Sequence, residues 1–147
     1  MIDKTANSIH TKASDERKYL DLWIDLNPEA PKGKIVKSES PDFVVHYSRK
    51  HKAGIEITQW MANSGTDDNF LPKFNPSEIL SIIHSKQEKL PLYRKQLLNR
   101  TILIIVLLRD GFQPFTFPQN MSYWIPSVLF DELYILDYDL NRLYRMK

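Results

Sequence analysis

The apolar run from Thr101 to Leu108, Thr-Ile-Leu-Ile-Ile-Val-Leu-Leu, constrains the fold more than any other part of the chain. Charged residues bound the run on both sides, and it is rich in β-branched residues and short for an exposed helix. An uninterrupted apolar run of this kind predicts a strand that is buried on both faces. Helices cover both faces of such a strand, so the sequence predicts an α/β domain with a mixed sheet.

Composition narrows the class of protein. A chain of 147 residues is long enough for one domain with a sizeable core, and 42% hydrophobic and 26% charged residues are ordinary for a globular protein. The absence of cysteine excludes disulfides, thiolate zinc sites and cysteine catalysis. No stretch approaches the roughly 20 apolar residues of a membrane span, and no signal-peptide core is visible. We therefore expect a cytoplasmic protein with no membrane partner.

Two helices are predicted on either side of the first strands. Ser14, followed by acidic residues, predicts the start of a helix that carries an apolar stripe and stops at Asn27-Pro28. Residues 1–13 are polar and unpatterned, which predicts a flexible N-terminus and leaves 14–147 as the single domain. A second helix is predicted to begin at Pro76, with Glu78 in its first turn.

Two short apolar strands each carry one carboxylate. Asp42 begins the first of them and Glu56 lies within the second, and the basic segment between them predicts a hairpin tip centred on Arg49. In that register Asp42 lies opposite Glu56. Opposed like charges destabilise a sheet unless a cation lies between them, so the pair predicts a divalent metal held by oxygen ligands. The alternative is that Asp42 is a turn residue after Pro41 and that Glu56 lies on a solvent-facing surface.

These residues resemble a known motif. Pro41-Asp42 at the start of the second strand and Glu56-Ile57-Thr58 on the third resemble the PD-(D/E)xK nuclease superfamily, which has the restriction-endonuclease-like fold. Its core is helix, three strands, helix and strand, and the predicted elements follow that order from about Ser14 to Leu108. Beyond this core the sequence predicts a short helix near residues 125–132 and a C-terminal hairpin from Leu133 to Arg145. One position departs from the motif, because its lysine is Thr58 here.

The resemblance implies a site and an activity. A member of this superfamily would cleave phosphodiester bonds in DNA or RNA with one or two Mg²⁺ or Mn²⁺ ions, held here by Asp42, Glu56 and the backbone carbonyl of Ile57. Several branches of the superfamily place a glutamate on their first helix, and Glu16 corresponds to it in this chain. The alternative for Glu16 is a first-turn acid that the helix dipole favours.

Lys86 is the residue that the resemblance suggests for the missing lysine. It falls on the apolar face of the second predicted helix, at helical spacing from Ile79 and Ile83, where a lysine is costly without an anionic partner. Some branches replace the strand lysine with one from this helix, so Lys86 is predicted in that role, with Lys89 as the second choice. The alternative is that Lys86 extends its ammonium group to solvent.

The partner is the least constrained prediction. Basic residues at the hairpin tip and after the second helix would line a phosphate-binding groove; these are Arg49, Lys50, Lys52, Lys89 and Arg94. The net charge is only +2, however, which is a weak electrostatic signature for nucleic-acid binding. Thr58 and this low charge favour an alternative function, an inactive nuclease-like module that binds a protein or nucleic-acid partner. A homodimer is also left open.

Overall fold

The computed structural model describes residues 4–62, 76–109 and 128–147 of the chain. Its helices and strands, in order, are α1 (Lys4–Leu26), β1 (Lys34–Lys37), β2 (Phe43–His46), β3 (Lys52–Ala62), α2 (Pro76–Gln87), α3 (Leu90–Arg94), β4 (Arg100–Arg109), β5 (Glu132–Asp137) and β6 (Arg142–Arg145). The prediction of an α/β domain with a mixed sheet and a C-terminal hairpin is confirmed.

The six described strands form one sheet in the order of the chain, β1 to β6. β1, β2 and β3 pair antiparallel, β4 pairs parallel with both β3 and β5, and β6 returns antiparallel to β5. The residues of β4 from Ile102 to Leu107 are all fully buried. The apolar run is therefore an inner strand covered on both faces, as its composition predicted.

Helices cover both faces of the sheet and create two core layers. Side chains of β4 alternate between them: Ile102, Ile104 and Val106 pack on the α1 side, and their neighbours pack with α2 and α3. On α1 the buried residues Leu20 and Trp23 lie three apart, so one helical stripe faces the sheet. The result is a three-layer arrangement with the sheet in the middle.

The β2–β3 hairpin has the predicted register. Phe43 pairs with Ile55, and the N–H of Tyr47 donates to the carbonyl of His51 at 3.2 Å, which centres the turn on Arg49. Continuing the register by one position places Asp42 opposite Glu56. β3 continues to Ala62, well past the start of β2, so its later residues run beside the turn that precedes β2.

Two boundary predictions were wrong. The first helix begins at Lys4 rather than Ser14, because no proline or glycine interrupts the polar residues before Ser14. The predicted helix at residues 125–132 is not helical in its described part, 128–132, because Glu132 pairs with Ile102 as the first residue of β5. None of the helices in the described ranges has the length and apolar character needed to cross a bilayer.

Candidate active site

Asp42 is held at the open edge of β3. Its Oδ2 accepts a hydrogen bond of 2.8 Å from the N–H of Ile57, a group that lies beyond the last β2–β3 pair. The N–H and C=O of one strand residue point to the same edge of the strand. The Ile57 carbonyl therefore faces the same side as the Asp42 carboxylate.

Glu56 is buried between two donors. Only 3% of the residue is exposed, and its side chain projects from β3 toward α2 and α3. The ammonium of Lys86 on α2 donates to Oε1 at 3.2 Å, and the hydroxyl of Tyr93 on α3 donates to Oε2. Lys86 therefore has the anionic partner that its position on the apolar face of α2 calls for. Thr58 projects from the same face of β3, so Lys86 brings a positive charge to the side where the motif lysine would lie.

Glu16 lies on the buried side of α1, where the sequence placed it, but its close partner is a lysine. The ammonium of Lys37, from β1, donates to Glu16 Oε2 at 2.7 Å and lies 4.6 Å from the centre of the Phe43 ring. About half of the Lys37 side chain is exposed. Glu16 is close enough to Asp42 for its negative charge to affect the pKa of Asp42.

The pKa of Asp42 is raised from its ordinary value of 3.8 to about 6. Burial is the main cause, and the negative charges of Glu56 and Glu16 add to it, while the Ile57 N–H and Lys37 act in the opposite direction. The neighbouring carboxylates therefore contribute to the raised pKa of Asp42, but less than burial does. Burial, followed by the hydrogen bond to Glu56, also raises the pKa of Tyr93, so its phenol remains a donor at neutral pH.

The donor atoms fit a hard divalent cation. Asp42 and Glu56 offer carboxylate oxygens and Ile57 offers a carbonyl oxygen, and Mg²⁺ commonly binds through one or two carboxylates with water completing its shell. Among the residues whose side chains are described, no three acidic, histidine or cysteine side chains lie together as a ligand group. Glu16 is instead turned to Lys37. An ion here would therefore use the two carboxylates, the Ile57 carbonyl and water.

The predicted phosphate-binding residues lie at the tip of the β2–β3 hairpin, at the start of β3 and at the ends of α3. Arg49 and Lys50 are exposed at the hairpin tip, and Lys52 precedes Glu56 by four strand residues, about 13 Å at the usual rise. Lys89 and Arg94 are exposed at the two ends of α3.

Two residues of the cluster were not identified from the sequence, Tyr93 and Lys37. From the sequence, Pro91 predicts the end of the second helix or a kink in it, whereas α2 ends at Gln87 and α3 begins afresh at Leu90. Proline in a first turn, followed by a buried residue three positions after Leu90, is the signal for a new helix. Lys37 lies opposite Phe43 in the β1–β2 register, so knowledge of that register would have placed it beside Asp42.

Comparison of the chain with protein-family models, with curated proteins and with solved structures finds no match. The fold and the contacts of these side chains are therefore the basis for assigning a function.

Proposed function

We propose that the chain is a metal-dependent nuclease with a restriction-endonuclease-like core, which hydrolyses phosphodiester bonds in DNA or RNA. One observation carries the proposal: the β2–β3 register sets Asp42 opposite Glu56, and the Lys86 ammonium lies 3.2 Å from the Glu56 carboxylate. Two carboxylates and a cation on neighbouring elements are the side chains that such a hydrolysis requires. The order of helices and strands supports the same assignment.

The chain supplies oriented oxygen ligands. Asp42 is oriented by the Ile57 N–H, and Glu56 by the Tyr93 hydroxyl, so both carboxylates are fixed before any ligand arrives. Mg²⁺ or Mn²⁺ held by Asp42, Glu56 and the Ile57 carbonyl would polarise a phosphate oxygen and lower the pKa of a bound water. The raised pKa of Asp42 is consistent with a surplus of negative charge that a cation would relieve.

Lys86 supplies the positive charge. Its side chain is only 20% exposed and its ammonium is held by Glu56, so the charge is fixed in a partly dry environment. A fixed cation of this kind is worth most where negative charge develops in the transition state, here on the phosphate oxygens. Lys86 would therefore donate to the scissile phosphate, while the other basic residues contact the flanking backbone.

A cleavage assay on single- and double-stranded DNA and RNA, in Mg²⁺ and in Mn²⁺, tests the proposal. We expect the wild type to cut at least one of these substrates and Lys86→Ala to lower the rate by about 10²–10³-fold, as for other removed transition-state donors. Lys34→Ala is the matched control, because Lys34 is an exposed lysine at the start of β1, opposite His46. Lys89→Ala is assayed beside it, because Lys89 is the second choice for the same role. Loss of activity in Lys89→Ala alone would move the role to Lys89. A wild type that cuts none of the substrates would refute the nuclease assignment.

The second candidate is an inactive module with the same fold that binds a protein or nucleic-acid partner. It is favoured by Thr58 in place of the motif lysine and by Glu56, whose two oxygens already have protein donors. Binding of an oligonucleotide without cleavage, unchanged by Asp42→Ala, would support this candidate over the enzyme.

A further inference from the structure

The short helix α3, together with Gln96 just after it, connects the segment that carries Asp42 to the strand that carries Glu56. The Tyr93 hydroxyl donates to Glu56 Oε2 on β3. Three residues later, the Gln96 side-chain amide donates to the carbonyl of Ser40 at 2.6 Å, two residues before Asp42. One turn of chain therefore contacts both sides of the candidate site.

Tyr93 is itself rigidly placed. Only 1% of the residue is exposed, and it packs in the core layer beneath the sheet with Leu90 and Phe130, whose ring centre lies 6.4 Å from its own. A buried aromatic ring in a packed core has little rotamer freedom. The position of the hydroxyl, and with it the position of Glu56 Oε2, is consequently set by the core.

We propose that Tyr93 is a positioning residue for metal binding, and that Gln96 supports it from the Asp42 side. By holding Oε2, Tyr93 leaves Oε1 of Glu56, which also accepts from Lys86, as the oxygen that would bind an ion shared with Asp42. Hydrogen bonds to ligating side chains commonly change metal affinity by about 10–100-fold. This inference rests on the proposed function, because it assumes that Asp42 and Glu56 hold the ion.

The chain contains a control for a purely structural role. Tyr134, on β5, is also 1% exposed, and its hydroxyl donates at 2.9 Å to Oε1 of the buried Glu132. Arg100 binds the same glutamate. Tyr134 packs on the α1 side of the sheet, whereas Tyr93 packs on the other side. A role in stability alone would be common to both tyrosines, while a role in metal binding would belong to Tyr93.

The test is calorimetric titration of the metal-free, full-length protein with Mn²⁺ alone, combined with urea unfolding of each variant. We expect Tyr93→Phe to weaken Mn²⁺ binding about tenfold or more, by the usual effect of removing a hydrogen bond to a ligand. Gln96→Ala should weaken it in the same direction and by less. Tyr134→Phe should lose stability comparable to that of Tyr93→Phe while its Mn²⁺ affinity stays at the wild-type value.

Each other outcome is decisive. Wild-type Mn²⁺ affinity in Tyr93→Phe overturns the inference and leaves the proposed function intact. An equal loss of affinity in Tyr134→Phe also overturns it, because the effect would then follow from lost stability. If Tyr93→Phe does not fold, Gln96→Ala decides: weakened binding supports the inference and unchanged binding refutes it. A wild type that binds no Mn²⁺ refutes the metal site, and the inference with it.

Discussion

Two buried glutamates, Glu56 and Glu132, lie in clusters with the same kinds of partner. Each accepts a hydrogen bond from a buried tyrosine hydroxyl and contacts one basic side chain. At Glu132 the partner is Arg100, whose Nε and Nη2 donate to the two carboxylate oxygens at 2.8 Å each. At Glu56 the partner is Lys86, with one contact of 3.2 Å.

The two clusters differ in charge balance. Burial raises the pKa of Glu132, but the hydrogen bonds from Arg100 and Tyr134 and the charge of Arg100 outweigh it, so the net shift is downward. Beside Glu56, in contrast, the pKa of Asp42 is raised to about 6. Glu132 is paired with Arg100, and the charge of Arg145 lowers its pKa further. In the second cluster, two ion pairs of the described residues, Lys86 with Glu56 and Lys37 with Glu16, stand against the three carboxylates of Asp42, Glu56 and Glu16.

This difference separates a structural ion pair from a candidate site. The planar guanidinium of Arg100 satisfies both oxygens of Glu132 and leaves no charge uncompensated. The lysine ammonium is a point charge, and two such charges do not balance three carboxylates. A cluster that retains excess negative charge favours uptake of a proton or a further cation, and perturbed carboxylates of this kind are common at functional sites.

The largest expected effect is a loss of stability when the Arg100–Glu132 ion pair, the charge-balanced cluster, is broken. Arg100→Met leaves Glu132 buried without its cation, and we expect a loss of about 3–5 kcal/mol in the free energy of unfolding, as for other broken buried pairs. Mn²⁺ affinity should not change. Urea unfolding at pH 7 measures the loss. Arg17→Met is the control, because its ion pair with Asp21 on α1 is largely exposed and should contribute less than about 1 kcal/mol. Equal losses in the two variants would contradict the assignment of Arg100 to a buried pair.

The second prediction concerns packing beneath Asp42. A Cβ on Gly54 would lie 2.9 Å from Pro41 Cγ and 2.5 Å from Leu98 Cδ1. Gly54→Ala should therefore displace Pro41 and cost about 1–3 kcal/mol of stability, as overpacking does. Because Pro41 precedes Asp42, we also expect weaker Mn²⁺ binding in a calorimetric titration. Ala53→Val overpacks the opposite face of the same strand and should lose stability without losing Mn²⁺ affinity. Unchanged Mn²⁺ binding in Gly54→Ala would show that the Pro41 ring does not position Asp42.

The third prediction is a stabilising substitution, Asp42→Asn. A raised folded-state pKa means that the stability contributed by protonated Asp42 is fully present below pH 3.8 and is lost as the pH rises through about 6. Asparagine keeps an acceptor for the Ile57 N–H without the charge. After allowance for partial exposure, the variant should exceed the wild type by about 1–2 kcal/mol at pH 8 and match it near pH 4 in urea unfolding.

The matching substitution in the balanced cluster, Glu132→Gln, should change stability at pH 8 in the opposite direction. Its lowered folded-state pKa contributes stability that is present above the unfolded-state pKa and is lost as the pH falls through the folded-state pKa. The glutamine variant should therefore be less stable than the wild type at pH 8. A destabilised Asp42→Asn at pH 8 would mean that the Glu56 cluster is balanced after all.

Much of the candidate site was predictable because the patterns that place its residues are local in the sequence. Strand alternation and loop length gave the register that sets Asp42 opposite Glu56, and helical spacing placed Lys86 on the buried face of α2. The apolar run gave β4. These inferences need only residues that are neighbours along one hairpin, one helix or one strand.

The rest depends on packing between distant segments. Arg100 and Glu132 are 32 residues apart and meet only because β4 and β5 lie side by side. Tyr93 reaches Glu56 across 37 residues from α3, a separate helix that begins only three residues after the end of α2. The start of α1 was missed for a different reason, because its first residues carry no apolar stripe to mark them.

The smallest effect is expected at Lys37, the exposed cation of the unbalanced cluster. About half of its side chain is in contact with water, so we expect Lys37→Ala to cost less than about 1 kcal/mol at neutral pH. The positive charge of Lys37 lowers the pKa of Asp42, so its removal should raise that pKa further. The loss of stability between acidic and neutral pH should then become larger and extend to higher pH. Urea midpoints from pH 4 to pH 8 measure both changes.

Lys34→Ala is the matched control for this variant, because Lys34 is an exposed lysine at the other end of β1, opposite His46. It should leave the pH dependence of stability at the wild-type value, since Lys34 lies three strand residues from Lys37, about 10 Å further along β1. If Lys37→Ala also leaves that dependence unchanged, Lys37 does not compensate the carboxylates. A loss as large as that of Arg100→Met would instead make Lys37 the cation of a closed ion pair with Glu16. The negative charge of Glu16 on α1 would then be neutralised by Lys37, and Glu16 would have no part in binding an ion at Asp42 and Glu56.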